Sequence, residues 1–222
     1  MGAEFAGEFE THLTVCPVPG RGTGDAEESA RLGRWAAEHG LKFTRILLDR
    51  GAVRDQPMLT ERGRGSLSGR RASAQVRSDA LRAAGFTVVR VKIEAAPWNE
   101  DVPRTAGEAV ALDPLCHFEH HIKLLLGGEA EVTAARSVAV RHGAHLSRNA
   151  RRAVGGGRHE RFVTQRCHAV GRAGARAKLD ALLAALGAAG LQVLECEEEF
   201  VVHDDRPALD AGWIEERPGS RA

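Results

Sequence analysis

Phe9-Glu10-Thr11-His12-Leu13-Thr14-Val15 is a strand-length segment that returns as Phe118-Glu119-His120-His121-Ile122-Lys123-Leu124, at an offset of 109 (His12 to His121). Such self-similarity sets the architecture before anything else is read. Three further blocks follow in the same order. His39-Gly40 with Thr44-Arg45 matches His142-Gly143 with Ser147-Arg148, at an offset of 103 (His39 to His142). Met58-Leu59-Thr60 matches Phe162-Val163-Thr164 at 104 (Thr60 to Thr164). Ala83-Ala84-Gly85-Phe86 then matches Ala188-Ala189-Gly190-Leu191, and Glu94 falls on Glu199, both at 105.

Local signals give each repeat its elements. Asp25 with Glu28 reads as a capping-box start, and Gly40 as the glycine just past a helix end. Leu32, Trp35 and Ala36 recur between them at helical spacing. The counterpart helix runs from about Glu129 to His142 and stops at Gly143. The second helices end at Gly85 and Gly190, the last with Leu179, Leu182, Leu183 and Leu186 on one side. Strands are expected at Phe43–Leu48, Phe86–Glu94, His145–Asn149 and Leu191–Val202. The order β-α-β-β-α-β predicts an α+β protein, a tandem duplication of a ferredoxin-like repeat with antiparallel sheets. A polar cleft or barrel-like interior is expected between the repeats. The units are residues 1–97, a proline-bearing linker at 98–115, a second repeat at 116–205, and a tail at 206–222 that docks through Leu209, Trp213 and Ile214. The strand pattern leaves open whether the sheets face each other or join edge to edge.

Composition narrows the function classes. In 222 residues the formal net charge is +1, which announces neither a nucleic-acid nor a membrane partner. No apolar run approaches the ~20 residues that span a bilayer. The N-terminus MGAEFAGEFE is acidic and lacks the apolar core of a signal peptide. Four scattered cysteines without a C-x-x-C pair are read as buried, reduced thiols of a cytoplasmic protein. The oligomeric state is not legible.

Side chains alternate across a strand, so each strand sorts into two faces. Phe9, Leu13 and Val15 take the helix-covered face, leaving Glu10, His12 and Thr14 on the other. Glu119, His121 and Lys123 are left in the same way on the second repeat. The final strands leave Arg90, Lys92 and Glu94, and then Glu195, Glu197 and Glu199, with Leu194, Cys196 and Phe200 facing in. The second strands add Lys42 and Thr44, and His145, Ser147 and Asn149. A charged sheet face can simply be solvated. Here, however, a Glu-x-His on the first strand and a Glu on the last occur in both halves, on strands that neighbour in this topology. No aromatic falls on these faces and the chain has no tyrosine, which argues against base stacking and a nucleic-acid partner.

Three chemistries fit. His12, Glu94, His121 and Glu199 are adequate ligands for one Zn, Mn, Fe, Ni or Mg ion. In arrangement this set resembles the metal centre of the vicinal-oxygen-chelate superfamily. His12-Leu13-Thr14 and His145-Leu146-Ser147 resemble the paired H-x-[T/S] motifs of the 2H phosphoesterases, which implies one histidine as base, the other as acid, and hydroxyls on phosphate. Glu119-x-His121-x-Lys123 resembles the Glu-x-Glu-x-Lys strand of triphosphate-tunnel enzymes, with His121 in place of the central Glu. Arg62-Gly63-Arg64-Gly65-Ser66, followed by Gly69-Arg70-Arg71, leads into a helix N-terminus that favours anions. Arg166, His168, Arg172 and Arg176 form the matching loop, and Arg151, Arg152 and Arg158 surround Gly155-Gly156-Gly157. Without a metal, the His and Glu groups can serve as general acids and bases. No Walker loop, dinucleotide fingerprint or nucleophile motif is present, and no organic cofactor is expected.

The expected function is thus an enzyme acting on a small anionic, possibly phosphorylated, molecule. His12, His121 and His145 would be acids, bases or ligands, with Glu10 and Glu119 beside them. Lys42, Lys92, Lys123 and Arg90, with Ser147 and Thr14, would hold the anion. A non-catalytic small-molecule binder using the same cleft is the competing class.

Overall fold

The computed structural model describes residues 3–16, 25–149 and 158–213. Eight strands and five helices alternate in the order β1 (Gly7–Cys16), α1 (Asp25–Glu38), β2 (Lys42–Leu48), β3 (Asp55–Gly65), α2 (Leu67–Ala83), β4 (Thr87–Ala95), α3 (Ala106–Val110), β5 (His117–Leu126), α4 (Glu129–Arg141), β6 (Ala144–Asn149), β7 (His159–Cys167), α5 (Arg172–Ala188) and β8 (Gln192–Asp204). A 3-10 turn follows at Pro207–Asp210. Gly40, Gly85, Gly143 and Gly190 end the four long helices with φ of 69°, 77°, 64° and 70°, the left-handed geometry that a side chain disfavours. Ser66 caps α2 by accepting from the Gly69 amide. The Asp25 side chain lies outside the described residues, and Glu28 grips Arg31 at 2.6 Å. Ile214, Arg151, Arg152 and Gly155–Gly157 likewise lie outside them.

All pairings are antiparallel, and the strands close in the order β1-β3-β2-β6-β7-β5-β8-β4. Each half contributes four neighbours in the same internal order. The halves meet edge to edge at two seams, β2 with β6 and β4 with β8. Curvature then turns the faces toward one another, so both geometries left open by the strand pattern hold together. Closure also gives every seam strand a partner on both edges over part of its length, satisfying backbone groups that an open sheet leaves exposed.

Apolar residues sit outside the barrel wall, under the helices. One cluster joins Leu13, Val15 and Leu59 to Leu32, Ala36, Ala74 and Leu81. A second joins Ile122, Leu124 and Val163 to Val132, Val138, Leu179 and Leu182. A third bridges the β4–β8 seam, with Phe9, Ile93 and Ala95 against Phe118, Phe200 and Val202. Because these faces take the apolar side chains, the alternate positions of every strand turn inward.

Two expectations about packing fail. Leu194 is 44% exposed rather than core, because the ladder slips between Lys123 and Leu124: Lys123 pairs with Glu195, Leu124 with Val193, and Leu194 is the extra residue. The thiols are not uniformly buried either: Cys167 is, but Cys16 and Cys196 are exposed and Cys116 is intermediate. No helix among the described residues is long and apolar enough to cross a membrane.

Candidate active site

The inward positions line a cavity of about 160 Å³ along the barrel. On β1, Glu10, His12 and Thr14 succeed one another from one end to the other, each step about 6.8 Å as strand geometry requires. The register sets Glu10 beside Glu94, His12 beside Lys92 and Thr60, Glu119 beside Glu199, and His121 beside Thr164 and Glu197. Ile46, Leu48, Met58 and Phe162 give the same cavity an apolar wall. Phe162, at an inward position of β7, corrects the expectation of a face without aromatics.

Two histidines converge in the centre by the same device. Nδ1 of His12 lies 2.9 Å from Thr60 Oγ1, and Nδ1 of His121 lies 3.1 Å from Thr164 Oγ1. Each ring therefore turns Nε2 toward carboxylates. His12 Nε2 donates to Glu94 at 2.5 Å. His121 Nε2 stands 3.2 Å from Glu119 and 3.4 Å from Glu199. Lys92 bridges Glu94 and Glu119 at 2.6 Å each, and Arg166 holds the other oxygen of Glu119 at 2.6 Å. His117 adds a contact to Glu119 at 3.2 Å.

Electrostatics sorts these groups. Burial opposes charge on His12 and His121, but neighbouring carboxylates outweigh it. Glu94 raises the pKa of His12, and Glu119 with Glu199 raises that of His121 to about 10. Burial works against ionisation of Glu94 and Glu119 as well, yet the adjacent cations hold both well below the usual carboxylate range. Glu199 goes the other way: burial, and then the charge of Glu94, push it up to about 7. Glu199 is thereby brought to where a carboxyl changes charge near neutral pH.

The remaining candidates divide. Thr14, Lys42 and Ser147 line the cavity, and Lys42 forms no ion pair among the described residues. Arg90 does not wait for an anion: it is gripped by Asp204 at 2.5 Å and by Asp210 at 3.1 Å. Lys92 is likewise consumed by its two glutamates. Lys123 pairs with Glu195 at 2.7 Å and lies outside the cavity lining, so the Glu-x-His-x-Lys strand does not act as a unit. His145 is not in the cavity lining that holds His12 and His121; it lies beside Trp213, ring centroids 6.2 Å apart, and within 3.4 Å of Arg50 Nη2. The paired H-x-[T/S] motifs therefore do not face one substrate. The arginine loops are largely engaged too, Arg64 with Glu8, Arg70 with Glu61, and Arg176 with Asp180 and Glu198. His120 is buried on the core side, bonded to Gln165.

The tail closes one end. Asp210, 5% exposed, accepts from Arg166 at 2.6 Å and from Arg90, while Trp213 Nε1 donates to the Leu146 carbonyl at 2.8 Å. The chain thus crosses from the β4–β8 side to β6. Sequence reasoning missed Thr60, Thr164 and Asp210 as parts of the site, and put Arg166 in an anion-binding loop, whereas it lies on β7 held by Glu119 and Asp210. The two threonines carried a signal, since both fall in a matched block of the repeat.

The same ligand types suit a cation. Glu10, His12 and Glu199 offer ligand atoms within 4.8 Å of one another, as do Glu94, Glu119 and His121.

No protein-family model matches the chain, and no curated protein matches it. Among solved structures it is similar to an anthrone oxidase-like protein, at 13% identity and a TM-score of 0.28 over 92% of this chain and 94% of that one. It is also similar to a putative chlorite dismutase, at 14% identity and a TM-score of 0.29 over 92% of this chain and 97% of that one. Likenesses at this level carry no conclusion about chemistry.

Proposed function

We propose that the chain is an enzyme centred on the His12–Glu94 and His121–Glu199 pairs, transferring protons on a small anionic molecule bound inside the barrel. One observation carries this reading: two Nε2 atoms, each oriented from behind by a threonine hydroxyl, converge on buried carboxylates. A carboxyl with a pKa of about 7 is populated in both forms at neutral pH, which suits Glu199 to give and take a proton. Glu10 and Glu119 complete the charge around it. Lys42, with the hydroxyls of Thr14 and Ser147, is placed to take the anionic group, a carboxylate or phosphate ester, and the apolar wall to take the rest of the molecule. Internal duplication belongs to this reading, with repeats at 1–97 and 116–205; the shared strand order and the two His–Thr pairs support it.

A second reading is metal-assisted chemistry, hydrolysis included, with His12, Glu94, His121 and Glu199 around one divalent Zn, Mn, Fe, Ni or Mg ion. The clustering of His and Glu ligand atoms favours it.

The test is turnover of a panel of small carboxylates and phosphate esters by the full chain, followed by proton NMR. Conversion of one class should fall by at least ~10²-fold in His12→Ala and in His121→Ala, with circular dichroism unchanged. Binding without conversion in the native chain would make the protein a small-molecule binder. Turnover indifferent to both substitutions would remove the centre proposed here.

A further inference from the structure

Opposite the tail, the barrel wall is incomplete. β4 pairs with β8 only from Lys92 to Ala95, against Phe200 to Asp204, while β8 continues along β5 down to Gln192. The gap between this stretch of β8 and the ends of β1 and β3 is a cleft of about 650 Å³. Glu10, Glu94, Glu197 and Glu199 line both the cleft and the interior, so the one opens into the other. Over this mouth stands Arg62, its side chain 70% exposed, with Nη2 2.5 Å from Glu10 and 3.8 Å from Glu197.

The two sets of ligand atoms in the interior are not equally free to take a cation. The deeper set of Glu94, Glu119 and His121 is already neutralised by Lys92 and Arg166, both buried. A metal there would strand an ammonium and a guanidinium without partners in a low-dielectric interior, which is strongly unfavourable. The outer set of Glu10, His12 and Glu199 carries a smaller penalty, because His121 keeps Glu119 when Glu199 is taken, Glu94 keeps Lys92 when His12 is taken, and the counterion of Glu10 is exposed. Its exposed counterion can swing into water.

We propose that Glu10, His12 and Glu199 form a divalent-cation site at the inner end of the cleft, and that Arg62 is the counterion which the cation displaces. His12 ligates through Nε2, because Nδ1 is held by Thr60. The proton that His12 now donates to Glu94 leaves on binding, which frees a Glu94 oxygen toward the ion. Imidazole with carboxylate oxygens suits Mn²⁺, Fe²⁺ or Zn²⁺. The acidic walls of the mouth raise the local concentration of cations. Once displaced, the Arg62 guanidinium stands in water at the mouth, a second positive charge on the path of an anionic substrate that Lys42 holds within. This last step rests on the interior being the active site.

Mn²⁺ titration of the full chain, with free ion followed by electron paramagnetic resonance, tests the site without any substrate. One ion per chain is expected. Glu10→Gln should weaken binding at least tenfold. Arg62→Ala should tighten it by roughly tenfold, the effect of removing one competing charge within a few ångströms. Arg64→Ala, which frees Glu8 in the same cleft, should leave it unchanged. Absence of binding, or affinity indifferent to both Glu10→Gln and Arg62→Ala, would overturn the site. Equal tightening in Arg64→Ala would overturn the role of Arg62 by reducing it to part of a general field. Substitutions at these exposed or half-buried positions leave the core intact. A negative result here leaves proton-transfer chemistry standing, since that is read from turnover without added metal.

Discussion

Thr60 Oγ1 lies 2.9 Å from Nδ1 of His12, and this contact from behind the ring decides what its other nitrogen faces. Thr60→Val keeps the shape and removes the hydroxyl, so the ring loses its fixed orientation while the core is untouched. Turnover should fall about tenfold or more, with a stability loss of only ~1 kcal/mol. Nitrogen-15 spectra of the imidazole should show the hydrogen bond at Nδ1 lost. Thr164→Val should do the same to His121.

His121 gives a pH signature. Its pKa is raised to about 10 in the folded chain from an ordinary 6.5, so its stabilising contribution is complete below pH 6.5 and is lost as pH rises through 10. Urea unfolding at pH 7 and pH 10.5 should show the loss, and His121→Gln should flatten it.

Glu199 acts at lower pH. A folded pKa raised to about 7 from 4.5 means that the protonated form favours the fold, and stability from this group declines between pH 4.5 and 7. Glu94 and Glu119 are depressed instead, so their contribution is lost as pH falls below 4.5. Glu199→Gln should therefore abolish the decline between pH 4.5 and 7 and leave the acid limb of the unfolding curve in place.

Asp210→Asn keeps a hydrogen-bonding side chain but removes the charge shared by Arg90 and Arg166. A stability loss of about 3 kcal/mol is expected, the low end for breaking a buried pair, because each arginine retains one other carboxylate. Thermal melts should show it, together with increased solvent access to Trp213. An unchanged melting temperature would mean that the tail does not seal the barrel.

Phe200 packs against Phe5 and Phe118, with ring centroids 5.9 Å and 4.7 Å away, at the seam between the halves. Phe200→Ala should cost about 3–5 kcal/mol. Calorimetry should still show one transition, because two seams and a shared cluster couple the halves.

Much of this architecture was legible because strands alternate. Glu10, His12, Glu94, Glu119, His121 and Glu199 all point inward, as parity alone requires, and the four helix-ending glycines fell where their dipeptides placed them. What parity does not convey is who else arrives at the same point. Arg90 and Lys92 looked free because their partners Asp204, Asp210 and Glu119 are distant in sequence. His145 shares the parity of an interior residue but lies outside the cavity lining, beside Trp213, which arrives from far along the chain. Leu194 escaped because a one-residue slip in a ladder leaves no mark in composition.

The stretch of β8 that runs past β4 has a further meaning for how molecules of this protein meet one another. An unpaired strand edge invites the same edge of another copy to add to it. Here that edge carries Glu195, Glu197, Glu198 and Glu199, and a second copy approaching in antiparallel fashion would set carboxylate against carboxylate. Adding a copy along this edge would thus disturb the ion pairs that this row makes with Lys123 and Arg176, so the row that lines the mouth of the barrel is also one that disfavours its own extension.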